Sequence, residues 1–247
     1  MKSQYACFPS PSLRASAPPI DAWHASRRRT DRPGRAIISR SMTFLSYPPD
    51  ELAAVVDSFA TDATSKELVT KRTHQRWREM WCASRFGLGF RERFGDCEIE
   101  IDDVDEQRDF DFHLRFEGDR LPFQVATVLD KGRRPGDEYK TGTRAEIKGW
   151  YNTRPAQDED YARRCVQRSL RAKVAKNYAA PHSLHVLLYL NLKAAGVPWA
   201  VLAEACKVDA RRFASVWVTT DHYLCCLHGG TRWVTPPGWW SIWPSEQ

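Results

Sequence analysis

The sequence contains no apolar run of the roughly 18 residues that a membrane-spanning helix requires. Its longest candidate, Leu184 to Leu192, is too short and already includes Asn191. No apolar h-region follows the basic residues near the start, which argues against a secretory signal. No CxxC pair occurs among Cys7, Cys82, Cys97, Cys165, Cys206, Cys225 and Cys226. An odd, scattered set of this kind indicates neither a disulfide framework nor a zinc ribbon and points to the cytoplasm. Cys225 and Cys226, with His228 close by, would face opposite sides of an extended strand, so they read as buried thiols rather than metal ligands. There is no GxSxG, Walker loop or HExxH, which removes the common hydrolase, P-loop and zincin chemistries. No internal repeat is visible either.

What the chain does have is a length of 247 residues, with 42% hydrophobic and 28% charged, ample for a globular core. The net charge is +6, and it is concentrated. Lys2, Arg14, Arg27, Arg28, Arg29, Arg32, Arg35 and Arg40 face only Asp21 and Asp31 within residues 1–43, leaving the remainder formally neutral. This Ser/Pro-rich stretch lacks helical or strand periodicity and cannot bury enough apolar surface to offset its ordering entropy, so it is expected to be a disordered basic arm. Its composition is equally that of an organelle transit peptide, of an upstream extension to a protein starting at Met42, or of a phosphate-binding tail. Residues 44–247 are expected to form one domain.

Periodicity within that domain predicts alternating helices and strands. Leu52, Val55, Val56 and Phe59 outline a helix over 50–60, opened by Pro and acids. Trp77, Met80, Trp81 and Ser84 share a face of a second helix over 66–84, with Glu79 beside it and Gly87 and Gly89 as its stop. Glu98–Ile101 reads as a strand. From Asp109 to Phe116 the alternation is strict, with Phe110, Phe112, Leu114 and Phe116 on one face and Asp109, Asp111 and His113 on the other. Gly118-Asp119 then turns the chain into a third strand over 121–129. Residues 131–157 read as a long irregular excursion. A helix over 159–178 precedes a nearly continuous apolar strand over 182–192, of the kind buried on both faces of a sheet. A helix around Trp199, Leu202, Ala203 and Cys206, two short strands over 212–220 and 223–227, and a Pro/Trp tail complete the chain. The tail reads as wrapping the domain's own core. Ala194 to Trp217 also carries a helix–turn–helix rhythm, under which Arg211 and Arg212 would contact DNA. The expected class is α/β, a mixed central sheet flanked by helices.

Charge is split inside the neutral part. Nine acids and one base lie between Asp96 and Asp111, and thirteen bases against six acids between Lys131 and Lys176. An acidic hairpin beside a basic lid and helix suits a metal-dependent phosphodiesterase, in which carboxylates hold Mg²⁺ and cations receive phosphate. Solvated faces with ordinary ion pairs would give the same distribution.

The hairpin itself is more pointed. Asp111 lies in Arg108-Asp-Phe-Asp-Phe-His-Leu, Gln124 lies in Phe123-Gln-Val-Ala-Thr, and Glu79 lies on the preceding helix. With the order αβββαβ, this stretch resembles the restriction-endonuclease-like, PD-(D/E)xK superfamily over roughly residues 50–230. The resemblance implies a nuclease with Mg²⁺ as cofactor and DNA or RNA as partner, and it allows a homodimer. Asp111 would be the strand-two aspartate, with Asp109 as substitute, and Gln124 would stand at the acid of the acid-x-Lys pair. Glu79, Asp111 and Gln124 would hold the metal. Ala126 occupies the lysine position, so the lysine would come from the neighbouring helix: Lys173 first, then Lys176, then Lys131. Lys131, Arg133, Arg134 and Lys176 would bind the nucleic-acid backbone. Because Gln124 brings no charge and Ala126 no ammonium, a catalytically degenerate domain that binds nucleic acid or a protein remains the alternative.

Overall fold

The structure, a computed structural model, describes residues 44–62, 75–102, 109–130, 158–192 and 197–243. The basic arm, the excursion over 131–157, and with it Lys131, Arg133 and Arg134, lie outside the described residues. The elements are β1 (Phe44–Tyr47), α1 (Pro49–Asp62), α2 (Gln75–Phe94), β2 (Glu98–Asp102), β3 (Phe112–Phe116), β4 (Asp119–Leu129), α3 (Glu159–Val174), β5 (His185–Asn191), α4 (Trp199–Ala210), β6 (Ser215–Thr219), β7 (Tyr223–His228), α5 (Thr231–Val234) and β8 (Trp240–Ser241). The eight strands form one sheet in sequence order. β1 through β4 run antiparallel, β4, β5 and β6 are parallel neighbours, and β6, β7 and β8 are antiparallel again. The class is therefore α/β with a mixed sheet flanked by helices. None of the described helices is long and apolar enough to cross a membrane.

The sheet is covered on both sides because its central strands send apolar side chains to both faces. In β5, Leu187 packs into one cluster with Leu52, Phe86, Phe112, Phe123 and Trp217, under α1 and α2. Its neighbours Val186 and Leu188 pack into the other, with Val166, Leu170, Leu202 and Cys206 of α3 and α4. The period-2 alternation of a strand sends successive side chains to these two sides. Cys226 and Cys225 divide in the same way. Phe86 is the hub of the first cluster, with Phe90, Phe112, Phe123 and Trp217 around it.

Several local expectations are corrected. Residues 66–74 lie outside the described residues, and α2 continues past Gly87 and Gly89 to Phe94. Those glycines mark close approach rather than a stop. A Cβ on Gly87 would meet Pro49 Cγ at 3.0 Å and Ile99 Cδ1 at 3.1 Å. The helix ends at Gly95, whose φ of 107° lies in the region glycine favours. The β3–β4 hairpin turns through Glu117 and Gly118, both at positive φ, which is the type I′ pattern. Phe110 does not join Phe112, because the chain bends before β3 and Phe110 packs against the α3–α4 cluster instead. His185 shares a buried hydrogen bond with the Ser215 hydroxyl. The helix–turn–helix rhythm ends in β6, a wholly buried strand of the sheet, so no recognition helix follows α4. The tail closes the domain: Trp233 and Trp240 pack into the first cluster, and Trp239 Nε1 donates to Val197 O at 2.8 Å.

Gly87→Val should therefore lower stability by about 1–3 kcal/mol despite the better helix propensity of valine, because Pro49 and Ile99 must move. Chemical denaturation would measure it.

Candidate active site where two strands part

The last register pair of β3 and β4 is Phe112 with Phe123. One further ladder bond follows, from the Asp111 N–H to Phe123 O at 2.7 Å. Past this point β4 continues without β3 beside it, while β5 still pairs with its other edge as far as Leu129. The N–H and C=O of Val125, which point toward the missing strand, are taken up by side chains. Asp111 Oδ2 accepts from Val125 N–H at 2.7 Å, and Lys173 Nζ donates to Val125 O at 2.7 Å. An unsatisfied buried peptide group would cost on the order of 1–3 kcal/mol, so these bonds fix both side chains firmly.

Four residues singled out from the sequence meet here. Asp111 comes from the turn into β3, Gln124 from β4, Lys173 from the last turn of α3 and Glu79 from early in α2. Glu79 accepts from Gln75 Nε2 at 2.8 Å. Gln124 is buried; its amide oxygen accepts from the Tyr178 hydroxyl at 3.3 Å, and its side chain favours the charged form of Asp111. Lys176 is exposed at the rim, and its charge still reaches both Asp111 and Lys173. Asp109 does not stand in for Asp111. Its carboxylate accepts from Ala179 N–H at 2.7 Å and ties the segment after α3 to the turn before β3. Ala126 packs against the α3–α4 cluster, where an ammonium would be out of place.

The electrostatics are those of crowded acids. Burial pushes the Glu79 carboxyl up to about 7, and the neighbouring Asp111 charge adds to the effect, opposed by Gln75, Arg78 and Lys173. Burial also raises Asp111, against the Val125 N–H, Lys173, Gln124 and Lys176, which all favour its charged form. Burial lowers the Lys173 ammonium to about 8, with Asp111 and Glu79 holding the proton on and Lys176 helping to push it off.

Among the described residues no group of three or more His, Cys, Asp or Glu is placed to hold a metal. Glu79 and Asp111 supply two carboxylates, while Val125 O is taken by the Lys173 ammonium. An all-oxygen set with few protein ligands fits Mg²⁺, which keeps several waters, better than zinc. Sequence reasoning found the side chains but not the Val125 backbone, for which composition and spacing carry no signal, nor the bracing role of Asp109 and Tyr178. No protein-family model, curated protein or solved structure matches the chain.

The Glu79 shift sets a stability prediction. Its pKa is higher in the folded chain than in the unfolded one, so folding is favoured below about 4.5 and the contribution is lost as pH rises through 7. Glu79→Gln keeps an acceptor for Gln75 and removes the charge. At pH 8 it should be more stable than the parent by about 1–2 kcal/mol, with the gain shrinking toward zero near pH 4.5 in denaturation curves.

Proposed function

We propose that this chain is a metal-dependent nuclease, hydrolysing phosphodiester bonds of DNA or RNA on a restriction-endonuclease-like core. The observation that carries the reading is the convergence of Glu79, Asp111 and Lys173, from three separate elements, at the point where β3 leaves β4. The succession α2, β2, β3, β4, α3, β5, with the first three strands antiparallel and β5 parallel to β4, supports it further. It is the order that the resemblance implies.

Asp111 and Glu79 are the residues that would hold Mg²⁺. Bound there, it would supply Lewis-acid polarisation of a phosphoryl oxygen and a more acidic water. Lys173 is the chain's own contribution to the reaction. Its ammonium is buried, sits beside Asp111 and is eased toward neutrality, so it can orient an attacking water and stabilise negative charge developing on the phosphate. It does what a lysine at position 126 would do, reached from the helix instead of the strand. Lys176, exposed at the rim, would receive the adjacent phosphate.

The second reading, a nuclease-like domain that only binds, draws on one observation: Lys173 Nζ is engaged by Val125 O and must release it to reach a substrate. Cleavage assays separate the two. With Mg²⁺ or Mn²⁺ the full chain should cut DNA or RNA, and Asp111→Asn, which keeps an acceptor for Val125 N–H, should lose at least about 100-fold of that activity with its circular dichroism unchanged. A folded protein that cuts no nucleic acid with either metal sinks the catalytic reading.

A further inference from the structure

α3 carries more positive charge than its neighbours neutralise. From Arg163 to Lys176 there are six basic residues and no acid. Three of them are engaged. Arg163 pairs with Asp160 at 3.1 Å, Arg171 pairs with Asp209 of α4 at 3.1 Å, and Lys173 holds Val125 O in the site. Arg164, Arg168 and Lys176 are exposed, and no carboxylate of the described residues lies within ion-pair distance of them. The helix dipole does not account for Arg164 and Arg168, which come before the last turn, where a cation gains little from it.

The three share one ridge. With Ala172 they stand at four-residue spacing, and successive members of such a row are neighbours on a helix surface. Lys176 continues the turn just past the helix, its N–H donating to Lys173 O at 3.1 Å. Four residues make slightly more than one revolution, so the row drifts around the helix, from the solvent face at Arg164 to the rim of the site at Lys176. Arg168 fixes the side on which it runs. Its Nη2 donates to Leu129 O at 2.9 Å, on the same free edge of β4 where Lys173 holds Val125 O. The ridge therefore follows the edge that β3 leaves, over about 18 Å.

We propose that this ridge is the track that receives a nucleic-acid backbone beside the site, with Arg164, Arg168 and Lys176 each taking a phosphate. The choice of partner rests on the nuclease reading above. A polyphosphodiester offers single negative charges at regular intervals, and about five phosphates of one strand, at about 3.4 Å each, span the length of the ridge. The small Ala172 keeps the middle of the row low, so that a strand can lie close to the helix. Contacts of this kind position the strand and leave its sequence unread.

The experiment measures binding of the full chain to a fluorescent 20-base-pair DNA duplex and to a 20-nucleotide single strand, in EDTA and again with Ca²⁺, across a salt series. The triple variant Arg164→Gln/Arg168→Gln/Lys176→Gln is compared with Lys207→Gln, which removes an exposed charge on α4. The basic arm contributes equally in every variant, so differences report the ridge. The slope of log K against log salt should fall by about 2–3 in the triple variant on a duplex, or by about 2 if the track takes a single strand, and should barely change in Lys207→Gln. A folded triple variant with the parental slope on both probes overturns the proposal. So does a parent that binds neither probe, or one that binds polyglutamate as well as DNA through the same three residues. Ridge-dependent binding without cleavage in Mg²⁺ or Mn²⁺ keeps the track and removes the nuclease reading. Cleavage by the triple variant with parental kcat/KM removes the track and keeps the nuclease.

Discussion

A buried peptide group that loses its strand partner must find another, and at Val125 it finds two charged side chains. Asp111 takes the N–H and Lys173 takes the C=O, both at 2.7 Å. The rest of the site depends on this substitution. It holds an acid and an ammonium at fixed positions along the same free edge of β4, where β3 parts from it. Glu79 joins from α2 because the Phe86 cluster seats that helix on the same end of the sheet. The fold thus converts a termination of hydrogen bonding, which every sheet has somewhere, into a preorganised charge constellation.

The arrangement carries a strain of charge rather than of backbone. Glu79 and Asp111 both resist ionisation through burial, and Glu79 further through the nearby Asp111 charge, while Lys173 is pushed toward its neutral form by burial. None of the three would be chosen for stability alone. Groups whose pKa values are displaced by desolvation and named charge partners cluster at functional sites. A cation beside the two acids would relieve the repulsion and leave Lys173 free to leave Val125 O. Structure and chemistry are coupled here through the same few hydrogen bonds.

Much of this was legible in the sequence, for identifiable reasons. The nearly continuous apolar run of β5, the alternation through Phe112, Leu114 and Phe116, and the four-residue spacing of Val166, Leu170 and Val174 in α3 are written in period and composition, and they point to the mixed sheet. Asp111, Gln124, Lys173 and Glu79 were found from motif order, and burial of Lys173 follows from its place one turn past Leu170 on the inward side. What was not legible depended on contacts distant in the chain. Gly87 and Gly89 looked like a helix stop because a glycine that admits Pro49 or Ile242 is indistinguishable, in sequence, from one that ends a helix. The four-residue β1 was missed because it is too short to show a period, and β8 because two residues define no pattern. The orientation of the Gln124 amide and the bracing by Asp109 come from hydrogen bonds spanning 54 and 70 residues.

The central claim is that Glu79 and Asp111 form a cation site beside Lys173. An anomalous-scattering map from crystals soaked in Mn²⁺ tests it most directly. The account predicts a peak between the two carboxylates. No peak there, with Lys173 still on Val125 O in a crystal that takes up the ion elsewhere, would contradict it.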